Sequence, residues 1–389
     1  MSSSDLDEPA RCDPTVDNAA ARVVLSHLAE PGDRRLVHRV QQLGAPQVVS
    51  EILENTGPLP GLSGYRARLG DAVTLCQLTD LVERDLTRLS QVGGRLVLPG
   101  ASDWPTQLDD LGERQPLLLW VRGAGDLRLS ALRSVAIVGA RACTAYGENV
   151  AVELAGGLSE RGWCVVSGGA YGIDAAAHRG VLGVQGCSVA ILACGADVAY
   201  PKAHDRMLLH LLERGVVLSE APLGAAPHRG RFLVRNRVIA ALTRGTVVVE
   251  AALRSGSLST VREAAGLGRV VMGIPGSVTS AMSAGVHREL REGALLVSSI
   301  HEVIEAVGDI GTDLAPRDSG PVTARDHVDA VGNRILDAMP ANRAATDAQI
   351  ATSAGVNRSE VMAALGLLEL EGFVTRDTKG WRLTSTGLR

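Results

Sequence analysis

SVAIVGARACTAYGENVAVELAGGLSERG, residues 134–162, decides the fold. It opens as an apolar, β-branched run, breaks at Gly139, and resumes with helical composition near Thr144 or Tyr146. A buried strand, a tight glycine turn and a helix make one βα unit. The same grammar recurs in WCVVS (163–167), SVAIL (188–192), VVLS (216–219), TVVVE (246–250), RVVMGI (269–274) and ALLV (294–297), mostly with helical stretches between. Such repetition predicts an α/β protein whose parallel sheet carries helices on both faces, joined by right-handed crossovers.

Outward from this core the pattern changes. Residues 94–133 hold short strand-like runs, RLVLPG and PLLLWVRG, split by Pro and Gly, and lead into the sheet, so the α/β domain is read over 94–308. Upstream, AARVVLSHLAE, RRLVHRVQQLG and DAVTLCQLTDLVERDL carry apolar residues at helical spacing, which predicts a small helical domain over 19–93. Its segment LPGLSGYRARL (59–69) has the glycine turn of a helix-hairpin-helix unit, although an ordinary loop explains it equally simply. Residues 1–18 are polar and aperiodic and are expected to be a disordered tail. Residues 309–326, rich in Asp, Gly and Pro, are expected to be a linker. Three helical patterns and FVTRDTKGWRLT then predict a winged-helix domain over 327–389.

The chain of 389 residues has a formal net charge of −4, which argues against a uniformly basic coat. The average hides a contrast: residues 134–300 hold 16 Lys/Arg against 12 Asp/Glu, while the flanks together are about −8. Six cysteines form no CxxC pair, which predicts a reduced protein without a metal. The polar, acidic start lacks the basic and apolar regions of a signal peptide, and no apolar run approaches the ~18 residues of a membrane span. A cytoplasmic location follows as the expectation.

Ligands of open parallel sheets bind beyond the carboxyl ends of the strands, so the chemistry is sought there. The first βα turn, GARACTAYG, offers backbone N–H groups at a helix N-terminus, a natural phosphate site, and projects Arg141. A forked phosphate contact and a surface salt bridge both fit Arg141. GARACTAYG is not GxGxxG, and the second strand ends in Ser167 and Gly168 with no acid for a ribose, so a nicotinamide cofactor is disfavoured and none is expected. In SGGAYGIDAAAH, Asp174 and His178 share a helical face, but no nucleophile accompanies them, and loop support is the preferred reading. No residue is assigned as catalytic.

Tyr200 and Pro201 are expected to fix the loop after the third strand, and Lys202 follows them on the same edge as Arg141. The next loop is read as HRGRFLVRNRVIAAL, with Arg229, Arg231, Arg235 and Arg237 around Phe232, one of only two Phe in the chain. Cations along a backbone and an aromatic for a base are the recipe for single-strand binding, though Phe232 also suits a core. In VVVEAALRSGS, Glu250 ends a strand as an acceptor for a loop donor or a base edge, and Ser257 or its neighbours are expected to cap a helix and offer N–H groups to a second phosphate.

VGARACTAYG, SGGAYGIDAAAH, YPK, LSEAP, FLVRNRVIAAL, VVVEAALRSGS, GIPGSV and HRELREGALLV stand in the order found in the DNA-processing protein A family, also called Smf, which this chain closely resembles. The resemblance implies an extended Rossmann-like fold, a homodimer, single-stranded DNA binding and loading of the RecA recombinase during natural transformation. It implies DNA contacts by Arg141, Lys202, Arg229, Phe232, Arg235, Asn236 and Arg237, with Gly139, Ser167, Gly168, Gly256 and Ser257 along the groove, and loop support by Asp174, His178 and Glu250. Two positions depart from the family pattern: Tyr171 where an Arg or similar polar residue is usual, and His287 where Asn is usual. The competing expectation is a nucleotide phosphoribohydrolase using Glu250, but such enzymes carry PGGxGTxxE where this chain has VVVEAALRSGS. The helix NRSEVMAALGLLELEG bears Arg358 against three glutamates, so the winged helix is read as a protein-contact or dimer-support element in preference to a DNA reader.

Overall fold

Each of the seven apolar runs builds a strand in the computed structural model, which describes residues 17–58, 61–69, 75–309, 313–316 and 323–387. The approach segment adds β1 (Gly94–Val97) and β2 (Leu119–Arg122). The runs give β3 (Ser134–Val138), β4 (Cys164–Ser167), β5 (Ser188–Ile191), β6 (Val216–Ser219), β7 (Gly245–Val248), β8 (Val270–Gly273) and β9 (Leu295–Leu296). They form one sheet of nine strands in the order β1-β2-β6-β5-β4-β3-β7-β8-β9. The β1–β2 and β2–β6 pairs are antiparallel and every other pair is parallel.

Side-chain alternation explains why a continuous apolar run suits a strand covered on both faces. Val135 and Ile137 of β3 pack with Val165 of β4 against helices Ala145–Glu160 and Ile173–Gly183. Ala136 and Val138 point the other way, toward Arg229–Leu242 and Ser257–Gly266. The chain moves outward from β3 through β4 and β5 to β6, then returns across β3 to β7, β8 and β9. The connections after β3 and β7 therefore diverge, which is the topological switch point of a Rossmann-like sheet.

Helices Asn18–Leu28, Arg34–Leu43, Ala45–Glu54, Leu62–Leu69 and Leu75–Gln91 make up the N-terminal segment. Val24, Leu36, Val48 and Ile52 pack in one apolar cluster with Leu118 and Trp120 of the sheet's antiparallel edge. The helices expected as a domain of their own thus share a core with the sheet, and residues through Ala315 form one compact unit. The indole of Trp120 on β2 is fully buried beneath this layer. All but the last two residues of the expected tail, and much of the expected linker, lie outside the described residues.

The second unit is Pro316–Arg389. Helices Ala330–Ala338, Asp347–Ala354 and Arg358–Leu370 precede β10 (Val374–Asp377) and β11 (Gly380–Leu383), which pair antiparallel around Thr378 and Lys379. Ile335, Leu336, Val361, Leu365, Phe373 and Trp381 fill its core, completing a winged-helix plan. No helix among the described residues is long and apolar enough to cross a membrane.

Candidate nucleic-acid interface

The switch-point crevice is occupied by the protein itself. Glu250, two residues beyond β7 and 2% exposed, accepts hydrogen bonds from the Thr144 backbone N–H at 2.8 Å and the Thr144 hydroxyl at 2.7 Å. Thr144 Oγ1 in turn accepts from the Gly147 N–H at 3.3 Å and caps helix Ala145–Glu160. The helix N-terminus expected to hold a phosphate is therefore already capped and faced by an internal carboxylate. Each Glu250 oxygen accepts one of these bonds, so the buried carboxylate ties the end of β7 to the turn after β3.

The exposed cations lie beside this crevice, on the turns after β3 and β5 and at the start of the helix after β6. Residues 229–242, read from the sequence as a loop, form the helix Arg229–Leu242. Its first turn is exposed at Arg229 and half-buried at Phe232, and from Arg235 onward it is buried. This gradient separates cations that the sequence groups together. The Arg141 guanidinium stands 4.8 Å from the centre of the Phe232 ring, and Tyr200 lies 5.7 Å from the same ring. Arg141, Lys202, Arg229 and Tyr200 are all exposed, and the three cations make no ion pair with described residues. A guanidinium, a half-buried ring and an exposed ring thus run together along an uncovered sheet edge.

Three other arginines of the cluster are spent internally. Arg231 forks onto Glu30 at 2.7 and 3.0 Å. Arg237, 2% exposed, forks onto Glu220 at 2.9 and 2.7 Å. Arg235 donates to the carbonyls of Gly168, at 2.8 Å, and Ile191, tying the ends of β4 and β5 beneath Phe232. Burial pushes the Arg235 guanidinium down to about 10, so it stays charged at neutral pH. Arg235 and Arg237, expected to touch phosphate, are instead buried and hydrogen-bonded within the chain, although Arg237 Nε has no partner among the described residues.

Asn236 donates to Ser259 Oγ at 2.6 Å and to the Gly256 carbonyl at 3.4 Å, holding the turn into helix Ser257–Gly266. Ser257 does not cap that helix: the preceding residue is Gly256, and the Ser257 hydroxyl sits 2.7 Å from that of Ser255. Ser167, fully buried, donates to the Ile137 carbonyl at 2.7 Å and so staples β4 to β3 instead of lining a groove. A side chain at Gly168 would overlap the Arg235 guanidinium, and one at Gly139 would overlap Ile173. Only Gly256 is exposed with open space before it.

Asp174 accepts from the Ala170 N–H at 3.4 Å, and burial pushes its carboxyl up against the opposing pull of Arg235. His178 shares a hydrogen bond of 2.8 Å with Ser188 Oγ, and burial pushes it down to about 3, so it is neutral at physiological pH. Each has its own partners inside the scaffold. Tyr171 is exposed and meets His204 edge-on at 4.9 Å, while His287 lies 3.1 Å from the Gly276 carbonyl. The sequence reading gave Tyr200 only a loop-fixing part; its one signal was a tyrosine next to a strand-end cation in an aromatic-poor chain.

Residues 95–308 match the family described as DNA recombination-mediator protein A. The DNA processing protein DprA of Mycobacterium tuberculosis is 40% identical over 387 residues, covering 96% of this chain and 96% of that protein. The DNA processing protein DprA of Streptococcus pneumoniae is 41% identical over 201 residues, covering 52% of this chain and 70% of that protein. A crystal structure of the Streptococcus pneumoniae protein superposes with a TM-score of 0.58 at 30% identity, covering 76% of this chain and 99% of that one. The chain therefore belongs to the DNA recombination-mediator protein A family.

Proposed function

We propose that the chain binds single-stranded DNA along the open groove and does no chemistry on it. Arg141, Lys202 and Arg229 take phosphates, while Phe232 and Tyr200 offer faces to successive bases. The observation that carries this reading is the run of Arg141, Phe232 and Tyr200 at the carboxyl edge of the sheet, the two rings tilted by 56° at 5.7 Å, with exposed Lys202 and Arg229 that make no ion pair with described residues. Stacking tolerates any base, so the binding is independent of sequence. Family membership supports the rest of the proposal: a cytoplasmic homodimer that protects incoming strands and loads the RecA recombinase in natural transformation and homologous recombination.

The engagement of Glu250 by Thr144 favours binding over phosphoribohydrolase chemistry, because the buried carboxylate is held by both oxygens onto a turn of the protein itself. The test is a binding titration on single-stranded and duplex DNA across a salt series. Three phosphate contacts give a log–log slope of about −2 for single strands, at about −0.7 per contact. A flat salt response, equal preference for duplex, or release of free base from nucleoside monophosphates would overturn the reading.

A further inference from the structure

Two cysteines outside the groove form a chemically distinct site. Cys164 opens β4 and Cys187 immediately precedes β5, and the pairing of Val165 with Ser188 sets them side by side. Their Sγ atoms are 3.2 Å apart. Neighbouring strands lie about 4.8 Å apart, inside the ~4.4–6.8 Å Cα window that a disulfide spans. Ser130, on helix Leu127–Leu132, brings its Oγ within 3.3 Å of Cys187 Sγ. Cys164 is buried, whereas Cys187 is only partly so and follows the surface turn at Gln185 and Gly186.

The two thiols are polarised in opposite senses. Donation from the Cys164 thiol pulls Cys187 down to about 7, with Ser130 assisting, while Cys164 is raised well above the usual thiol range. Cys194 is pushed up to about 11 by burial, and burial also raises Cys143. A reachable thiolate beside a buried resolving thiol is the arrangement of a redox-responsive pair.

We propose that Cys187 and Cys164 are a peroxide-reactive modification site that closes to a disulfide between β4 and the turn before β5. The Cys187 thiolate attacks one oxygen of hydrogen peroxide, the O–O bond breaks, and hydroxide leaves, taking up the proton released on thiol ionisation to become water. Cys164 then attacks the sulfenic sulfur, the S–O bond breaks, and a second water departs with the Cys164 proton. Two thiols are oxidised and one peroxide is reduced. The pair sits at the amino ends of its strands, away from the Arg141 and Phe232 edge, so the inference does not rest on the DNA reading.

The reduced full-length protein, treated with one equivalent of hydrogen peroxide and then unfolded and blocked with a maleimide, is expected to carry two fewer maleimide adducts than the untreated protein blocked in the same way, and to be lighter by two further hydrogens. Peptide mapping without reductant should then join the Cys164 and Cys187 peptides. In Cys164→Ser, oxidation should stop at a Cys187 sulfenic acid that dimedone traps. Should the variant not fold, iodoacetamide labelling of the wild type at pH 7 reads the same property, with Cys187 modified at least about tenfold faster than Cys194. Cross-linking of a different cysteine pair first, no dimedone adduct at Cys187 in folded Cys164→Ser, or equal labelling of Cys187 and Cys194 would each overturn the proposal.

Discussion

The crevice between the carboxyl ends of β3 and β7 and the groove over β4, β5 and β6 lie side by side on one sheet edge, yet the protein fills the first and leaves the second open. In the crevice, a helix N-terminus meets Glu250, and donors and acceptors are matched within the chain. In the groove, Arg141, Lys202 and Arg229 are exposed on the same edge as Phe232 and Tyr200, and none of them pairs with an acid among the described residues. A Rossmann-like sheet ordinarily places its ligand in the first of these. Here the anion belongs to the fold, and the unsatisfied charge has moved one strand outward. The difference explains how this sheet serves without the glycine fingerprint of a dinucleotide site.

The largest expected effect comes from the scaffold beneath the groove. Arg237→Ala strands the buried Glu220 carboxylate, and breaking such a pair typically costs about 3–5 kcal/mol, which chemical denaturation measures. A loss below about 1 kcal/mol would mean that Arg237 is a solvated groove cation after all.

Next comes the seal itself. Glu250→Ala should cost about 1–3 kcal/mol by leaving the two part-buried Thr144 hydrogen bonds unmade. It should also expose the helix N-terminus, so inorganic phosphate should raise the melting temperature of this variant more than that of the wild type. Equal phosphate effects on both would show that more than one carboxylate closes the crevice, and the contrast would fail.

Phe232→Ala separates base stacking from packing. The half-buried ring predicts a loss of about 1–3 kcal/mol in single-strand affinity with little change in melting temperature. The opposite outcome, lost stability with intact affinity, would assign the ring to the core. The smallest effects are expected at Arg141→Ala and Lys202→Ala. Each should weaken binding severalfold and shallow the salt slope by about 0.7, leaving unfolding unchanged. If neither variant alters affinity or slope, the open groove is not the binding surface.

Much of the architecture was legible before any coordinates, because strand and helix periods are local properties. All seven apolar runs became strands, and the turn after Val138 begins a helix at Ala145 with Thr144 as its cap. The strand-end positions of Arg141, Lys202 and Glu250 were legible for the same reason. The basic run after β6 was misread as a loop because four arginines obscure the helical spacing of Phe232, Asn236 and Ile239. The N-terminal helices were legible as helices but not as a layer sharing its core with Trp120.

The sequence by itself determined the α/β class, the order of the βα units and the concentration of positive charge near the strand ends, all set by neighbours within a few residues. Tertiary structure alone decided which of those charges remain available. Arg231 meets its carboxylate at Glu30, 201 residues away, and Arg237 meets Glu220, 17 residues away. Arg141 and Lys202 meet none among the described residues. A guanidinium reads as a phosphate contact or a structural tie according to whether an acceptor shares its burial. Spacing along the chain does not carry that pairing, because it is made only when distant elements pack.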